Sequence, residues 1–156
     1  LKKYYIYDFD VIGKLTITEE NDFITNIDFE GTYEENKNAI LEESKLIRKA
    51  YSQLKEYFEG SRKKFDLPIK ADGTAFQSSC WNEFIKIPYG NTRSYKQIAE
   101  SVGSPKACRA VGMAANRNPI GIIIPCHRIL GADGALVGFG GGLKIKEYLL
   151  SLEKNN

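Results

Sequence analysis

The hydrophobic period of the chain changes near residue 38, and that change limits the folds open to it. In the first thirty residues, KYYIYDF alternates aromatic and polar side chains. Gly13 punctuates, KLTIT follows, and the polar cluster EEND precedes FITNIDF. Alternation with β-branched and aromatic residues predicts three strands in an antiparallel meander. Over about 38–58, Ile40, Ile47, Tyr51, Leu54 and Phe58 recur at helical steps, with Glu and Lys between them, which predicts an amphipathic helix ended by Gly60. RKKFDLPIKADG then reads as a charged connection with a short strand at FDLPI. Strands gathered before helices argue for an α+β chain. The boundary is placed near Gly73, giving an N-terminal α/β domain, 1–72, and a C-terminal domain, 73–156.

The second half is helical. Thr74 is placed to cap a helix whose apolar face holds Phe76, Cys80, Trp81, Phe84 and Ile87. Ser94 and Gln97 have capping-box spacing and predict a short helix to Val102, stopped by Gly103. Ser104-Pro105 is read as opening the next helix, with Pro at its first position. Two short helices across a Gly turn form a helix-turn-helix pattern. The second of them, ACRAVGMAAN, has Arg109 as its only charge. Its small side chains suit either close helix packing or insertion into a nucleic-acid groove. LKIKEYLLSLE predicts a final amphipathic helix.

Composition narrows the classes. No apolar run approaches the ~18 residues of a membrane span, and the start LKKYYIYDFDV is too charged for a signal peptide, so a cytoplasmic protein with no membrane partner is expected. Three cysteines do not make a disulfide framework. Residues 1–73 carry 12 Lys/Arg against 15 Asp/Glu, and residues 74–156 carry 10 against 5. The C-terminal half is therefore the better candidate for an anionic partner.

The stretch IIIPCHRIL, residues 122–130, sets Cys126 beside the only histidine, His127, after an apolar run and a proline. Adjacent residues do not share a face in a strand or a helix. Either the chain turns between them and they act together, or a buried strand happens to contain a thiol. Cys80 and Cys108 are read as small core residues. A nucleophilic thiol needs a neighbouring base, cation or helix N-terminus.

PCHRI, preceded by RAVG and Asn118-Pro119 and followed by GGGLKIKEYLLSLE, resembles the O6-alkylguanine-DNA alkyltransferase family (methylated-DNA–protein-cysteine methyltransferases). The likeness runs in order from about Gly73 to Glu153, while residues 1–72 match only in layout. It implies a ribonuclease-H-like N-terminal domain and a winged-helix, helix-turn-helix-like alkyltransferase domain. The implied function is single-turnover transfer of an alkyl group from O6-alkylguanine, or O4-alkylthymine, in double-stranded DNA to the protein itself. Cys126 is then the acceptor, His127 acts through a bridging water, and Glu153 orients the imidazole. Asn118 pins the turn before the cysteine, at the head of the family's apolar strand. Tyr95 bonds N3 of the base, and Arg109 fills the gap left by the extruded nucleotide. Backbone groups of Cys126, Ile129 and Gly140 read the base, and Ser104 and Ala107 complete the DNA-binding set. No cofactor is implied, and the protein is expected to be a monomer. Residues 1–72 contain no Cys or His, so the zinc site of some members is not expected. Phe139 stands where the family often has Tyr, and Ala115 stands where some members have a larger pocket-wall residue.

Three rival readings make different demands. An alkyltransferase-like binder would lack the acceptor cysteine. A helix-turn-helix regulator would project several polar side chains from its recognition helix. A cysteine hydrolase would turn over repeatedly.

Overall fold

The computed structural model describes residues 1–34 and 38–156. Chain contacts divide these into two units, residues 1–71 with 119–121, and residues 72–118 with 122–156.

In the first unit, β1 (Lys2–Phe9), β2 (Gly13–Glu20) and β3 (Phe23–Phe29) form the expected antiparallel meander. Asn21 and Asp22 both take positive φ, 53° and 67°, the geometry of a two-residue hairpin turn whose twist matches the strands. A fourth strand, β4 (Ala39–Leu41), pairs parallel with β1 and gives the order β3-β2-β1-β4. Helix α1 (Lys45–Phe58) covers one face, burying Ile47, Ala50, Leu54 and Tyr57 in a core with Leu15, Ile17, Ile24 and Ile27.

The helix therefore starts later than its period suggests. Ser44 caps it, accepting from the Ile47 amide at 3.1 Å, and Ile40 lies on β4 with its side chain exposed. Ile40 falls in helical phase with Ile47, but strand pairing claims it first. FDLPI is not a strand either. It makes one bridge, Ile69 to Ile24, while buried Gln53 clamps Asp66 through both its amide N–H and its carbonyl, at 2.9 and 3.0 Å. Ile120 bridges Ile27 in the same unit.

In the second unit, α2 (Ala75–Ile85) begins with a capping box between Thr74 and Gln77 and buries Cys80, Trp81 and Phe84. Ile87 is buried just past its end. β5 (Arg93–Ser94) leads into α3 (Tyr95–Ser101), again through a capping box, Ser94 with Gln97. Gly103 closes α3 at φ 80°: its amide bonds Glu100 O and the Ser104 amide bonds Ala99 O, the paired bonds of a Schellman motif. Helix α4 (Cys108–Asn116) does not start at Pro105. Ser104-Pro105 forms a turn instead, closed by the Ala107 amide on Ser104 O at 2.9 Å. The Trp81 indole N–H donates to Ala114 O at 2.8 Å and ties α2 to α4.

The apolar run after Asn118 is not a continuous strand. Ile122 has φ 71°, an uncommon conformation for a β-branched residue, and breaks the extension. The chain then forms a short 3₁₀ turn, Cys126–Arg128, the strand β6 (Ile129–Leu130) parallel to β5, and finally α5 (Leu143–Lys154). The chain is α+β, with a mixed sheet in one unit and helices dominating the other.

Gly121 faces the Phe29 ring so closely that a Cβ would lie 2.8 Å from it. Gly121→Ala should cost about 1–3 kcal/mol through this overpacking, read as a lowered urea midpoint of unfolding. An unchanged midpoint would show that the ring moves freely.

Candidate active site

Local backbone geometry resolves how Cys126 and His127 can cooperate. Pro125, at φ −81° and ψ 63°, makes an inverse γ-turn in which the Cys126 amide bonds Ile124 O at 2.8 Å. The 3₁₀ turn that follows sends successive side chains in different directions. Cys126 is 6% exposed and His127 is fully buried. Among the described residues no hydrogen bond joins their side chains. Asn118 donates from Nδ2 to Ile124 O at 2.8 Å and to Cys126 Sγ at 3.1 Å, fixing both the turn and the sulfur.

The His127 Nε2 lies 2.6 Å from Glu153 Oε2. Glu153, on α5, also accepts from Arg128 Nε at 2.8 Å, from Arg128 Nη2 at 3.0 Å and from the Gly90 amide at 3.2 Å. Burial pushes this carboxyl up, but the hydrogen bonds from His127 and Arg128 and the Arg128 charge outweigh it and hold Glu153 well below the usual carboxylate range. An ionised carboxylate has no proton to give, so the shared proton resides on Nε2. Burial lowers the His127 pKa against the pull of Glu153, favouring neutral imidazole. Neutral imidazole protonated on Nε2 leaves Nδ1 as an acceptor. That atom is buried and has no hydrogen-bond partner among the described residues.

Burial pushes the Cys126 thiol up, opposed by the Asn118 hydrogen bond and the Lys146 charge. At neutral pH the group is therefore a thiol, and a base must take its proton before it can attack. Lys146, fully buried on α5, donates to Ile129 O at 2.6 Å, Val137 O at 3.0 Å and Gly138 O at 3.4 Å. Tyr95 donates to the same Val137 carbonyl at 3.1 Å. Burial, then the nearby Cys126, raises the Tyr95 pKa, so this hydroxyl remains a donor at neutral pH.

The structure thus brings together Cys126, His127, Glu153 and Asn118. Tyr95 and Arg109 line a cavity of about 500 Å³ with Cys108, Gly112, Met113, Asn116, Val137 and Gly138. Cys108 is consequently exposed, not a core residue, whereas Cys80 is buried and its thiol pushed up to about 11 by burial. Ser104 and Ala107 sit in the turn before α4, outside the cavity lining, and Ala115 and Gly140 are not among its lining residues. Both backbone groups of Ile129 are engaged, its N–H by Cys126 O and its carbonyl by Lys146.

Arg128 and Lys146 join this buried network, and the sequence reading named neither. The signal was present in α5, where Lys146, Leu149 and Glu153 share one helical face and all three are buried. Arg128 also donates to Ile87 O at 2.7 Å.

Residues 75–155 match the family described as "6-O-methylguanine DNA methyltransferase, DNA binding domain", and residues 2–71 match "6-O-methylguanine DNA methyltransferase, ribonuclease-like domain". A methylated-DNA–protein-cysteine methyltransferase of Methanosarcina barkeri is 56% identical over 74% of this chain and 73% of its own. The protein of that name from Mycobacterium leprae is 47% identical over 92% of this chain and 88% of its own. The Mycobacterium tuberculosis protein OGT, solved in complex with DNA, superposes with a TM-score of 0.91 at 40% identity, covering 98% of this chain and 93% of that one. The chain belongs to the 6-O-methylguanine DNA methyltransferase family.

Removing Arg128 leaves Glu153 buried with fewer donors. Arg128→Met should cost about 3–5 kcal/mol in urea unfolding, the loss expected for breaking a buried ion pair. Acid should destabilise the wild type through two groups. Glu153, with its folded pKa depressed, contributes stability present above about pH 4.3 and lost as pH falls towards its folded value. His127, also depressed, stays neutral in the fold while the unfolded chain takes up a proton, so its contribution is lost as pH falls below about 6.5. A urea midpoint that is flat from pH 7 to about pH 5 would contradict the His127 assignment, and one that stays flat on further acidification below about pH 4.3 would contradict that of Glu153.

Proposed function

We propose that this chain repairs alkylated DNA by moving the alkyl group from O6 of guanine to Cys126, once per protein molecule. The observation that carries this reading is the buried Glu153–His127 pair, which leaves an unpartnered Nδ1 acceptor one residue from a buried thiol. A water between Cys126 and His127 passes the thiol proton to Nδ1, and the imidazolium formed is stabilised by Glu153. The sulfur then attacks the alkyl carbon: the S–C bond forms, the C–O6 bond breaks, and the electron pair leaves with guanine. Tyr95 turns from Val137 O to donate to N3, which stabilises the negative charge on the departing guanine until the proton held by His127 returns to it through water. The product is a thioether with no group placed to hydrolyse it, and the protein is consumed. O4-alkylthymine offers the same leaving-group chemistry.

An alkyl group on O6 lies within the base stack, so the nucleotide must be extruded to meet a buried thiol. The small residues of α4 allow close approach to the duplex, and Arg109, exposed beside the cavity, fills the space the base leaves. Backbone groups of Cys126 and Gly140, with the remaining lone pair on Ile129 O, read the extruded base, while Ser104 and Ala107 meet the DNA backbone before α4. The excess of Lys/Arg in residues 74–156 favours this partner. The functional division is 1–72 and 73–156, and the protein acts as a cytoplasmic monomer on double-stranded DNA. Among the described residues no helix is long and apolar enough to cross a membrane.

Intact-mass analysis after incubation with excess O6-methylguanine duplex tests the proposal. One added methyl should appear per chain, on the peptide containing Cys126, and Cys126→Ala should show none. Arg109→Ala should lose far more rate on the duplex than on the same lesion in a single strand, because unstacking a paired base costs a few kcal/mol. Sustained turnover, or label on Cys80 or Cys108, would refute acceptor chemistry at Cys126. Equal losses on both DNAs would refute the wedge.

A further inference from the structure

The sheet of the first unit has a second face, away from α1, with an unusual composition. Strand register places Lys2 and Tyr4 of β1, Thr16 and Thr18 of β2, and Asn26 and Asp28 of β3 on it. Beyond β3, Tyr33 lies over this face, its ring stacked on that of Tyr4 with centroids 5.4 Å apart. Between them lies a cavity of about 280 Å³ lined by Lys2, Thr18, Asn26, Asp28, Thr32, Tyr33, Glu34 and Ala39.

One of its polar groups is buried and unsatisfied. Thr18 is only 5% exposed, and its hydroxyl has no hydrogen-bond partner among the described residues. No described residue pairs with the Asp28 or Glu34 carboxylates, and Lys2 faces Glu20 at 3.8 Å. Burial, then the Glu34 charge, pushes Asp28 up to about 6. A buried hydroxyl ordinarily finds a partner, and beside it the half-buried Asp28 and exposed Glu34 carboxylates and the Asn26 amide suit a donor with positive charge. A chelated metal fits poorly, because among the described residues no three Asp, Glu, His or Cys side chains converge.

We propose that this cavity binds a primary alkylammonium group of the kind carried by small aliphatic diamines. An ammonium has three N–H donors, matching the Asp28 and Glu34 carboxylates and the Thr18 hydroxyl. The volume admits a short alkyl chain. The reading is independent of the alkyl-transfer chemistry.

The test is titration calorimetry of the intact protein with 1,4-diaminobutane at pH 7.5, against NaCl of matched ionic strength and against MgCl₂. Saturable one-to-one binding is expected, weakened about tenfold or more by Asp28→Asn, the loss of one charge-assisted bond. It should also weaken in Thr18→Val and at pH 5, where Asp28 is protonated; among the described residues Lys2, Tyr4, Glu20, Tyr33 and Glu34 are the other ionisable groups on that side. Amide spectra of both variants establish that they fold, and either variant alone suffices for the test. Three results would overturn the proposal: heats no larger than those of NaCl, diaminobutane binding unchanged in both variants, or Asp28-dependent binding of Mg²⁺ in preference to the amine.

Discussion

A single buried carboxylate organises the alkyl-transfer unit. Glu153 receives four hydrogen bonds, from the His127 ring, two nitrogens of Arg128 and the Gly90 amide. These donors come from the turn after α2 and from the 3₁₀ turn that carries the cysteine, while the acceptor comes from the last helix. Taking a carboxylate out of water costs several kcal/mol unless it is paired and hydrogen-bonded. The fold meets that requirement only when all three segments are in register. Arg128 extends the network by donating to Ile87 O.

The same carboxylate sets the chemistry. Ionised Glu153 keeps the ring proton on Nε2 and turns Nδ1 into a base without a protein partner. Cys126 rests as a buried thiol, its pKa raised by burial. Asn118 and Lys146 both favour the thiolate, and Lys146 also holds the carbonyls of Val137 and Gly138 at the cavity wall. Holding the thiol and the imidazole neutral spares the site two further buried charges until the proton moves.

Much of this was legible from local signals. Capping boxes at Thr74 and Ser94, the Gly103 stop and the alternating strands are encoded within a few residues, so the elements they start or end were found. The start of α1 was misplaced because Ile40 lies in helical phase with Ile47, while its real constraint, parallel pairing of β4 with β1, is non-local. Pro105 suits a helix start, yet α4 begins three residues later because the Ser104 carbonyl is used to close a turn. The apolar run 122–124 reads as a strand, and only the positive φ of Ile122 reveals a bend. Cys126, His127, Asn118 and Glu153, which the structure brings together, were named as a set through family resemblance. Arg128 and Lys146 were not, because long cationic side chains are by default assigned to the surface.

The central claim is that Glu153 fixes the His127 tautomer and leaves Nδ1 as the base. The chain has only one histidine, so nitrogen NMR of protein labelled with ¹⁵N-histidine reads this ring alone. At pH 7 the spectrum should show a neutral imidazole protonated on Nε2, with Nδ1 bare, and Glu153→Gln should erode that preference. An imidazolium at neutral pH, or a ring carrying its proton on Nδ1, would contradict the account.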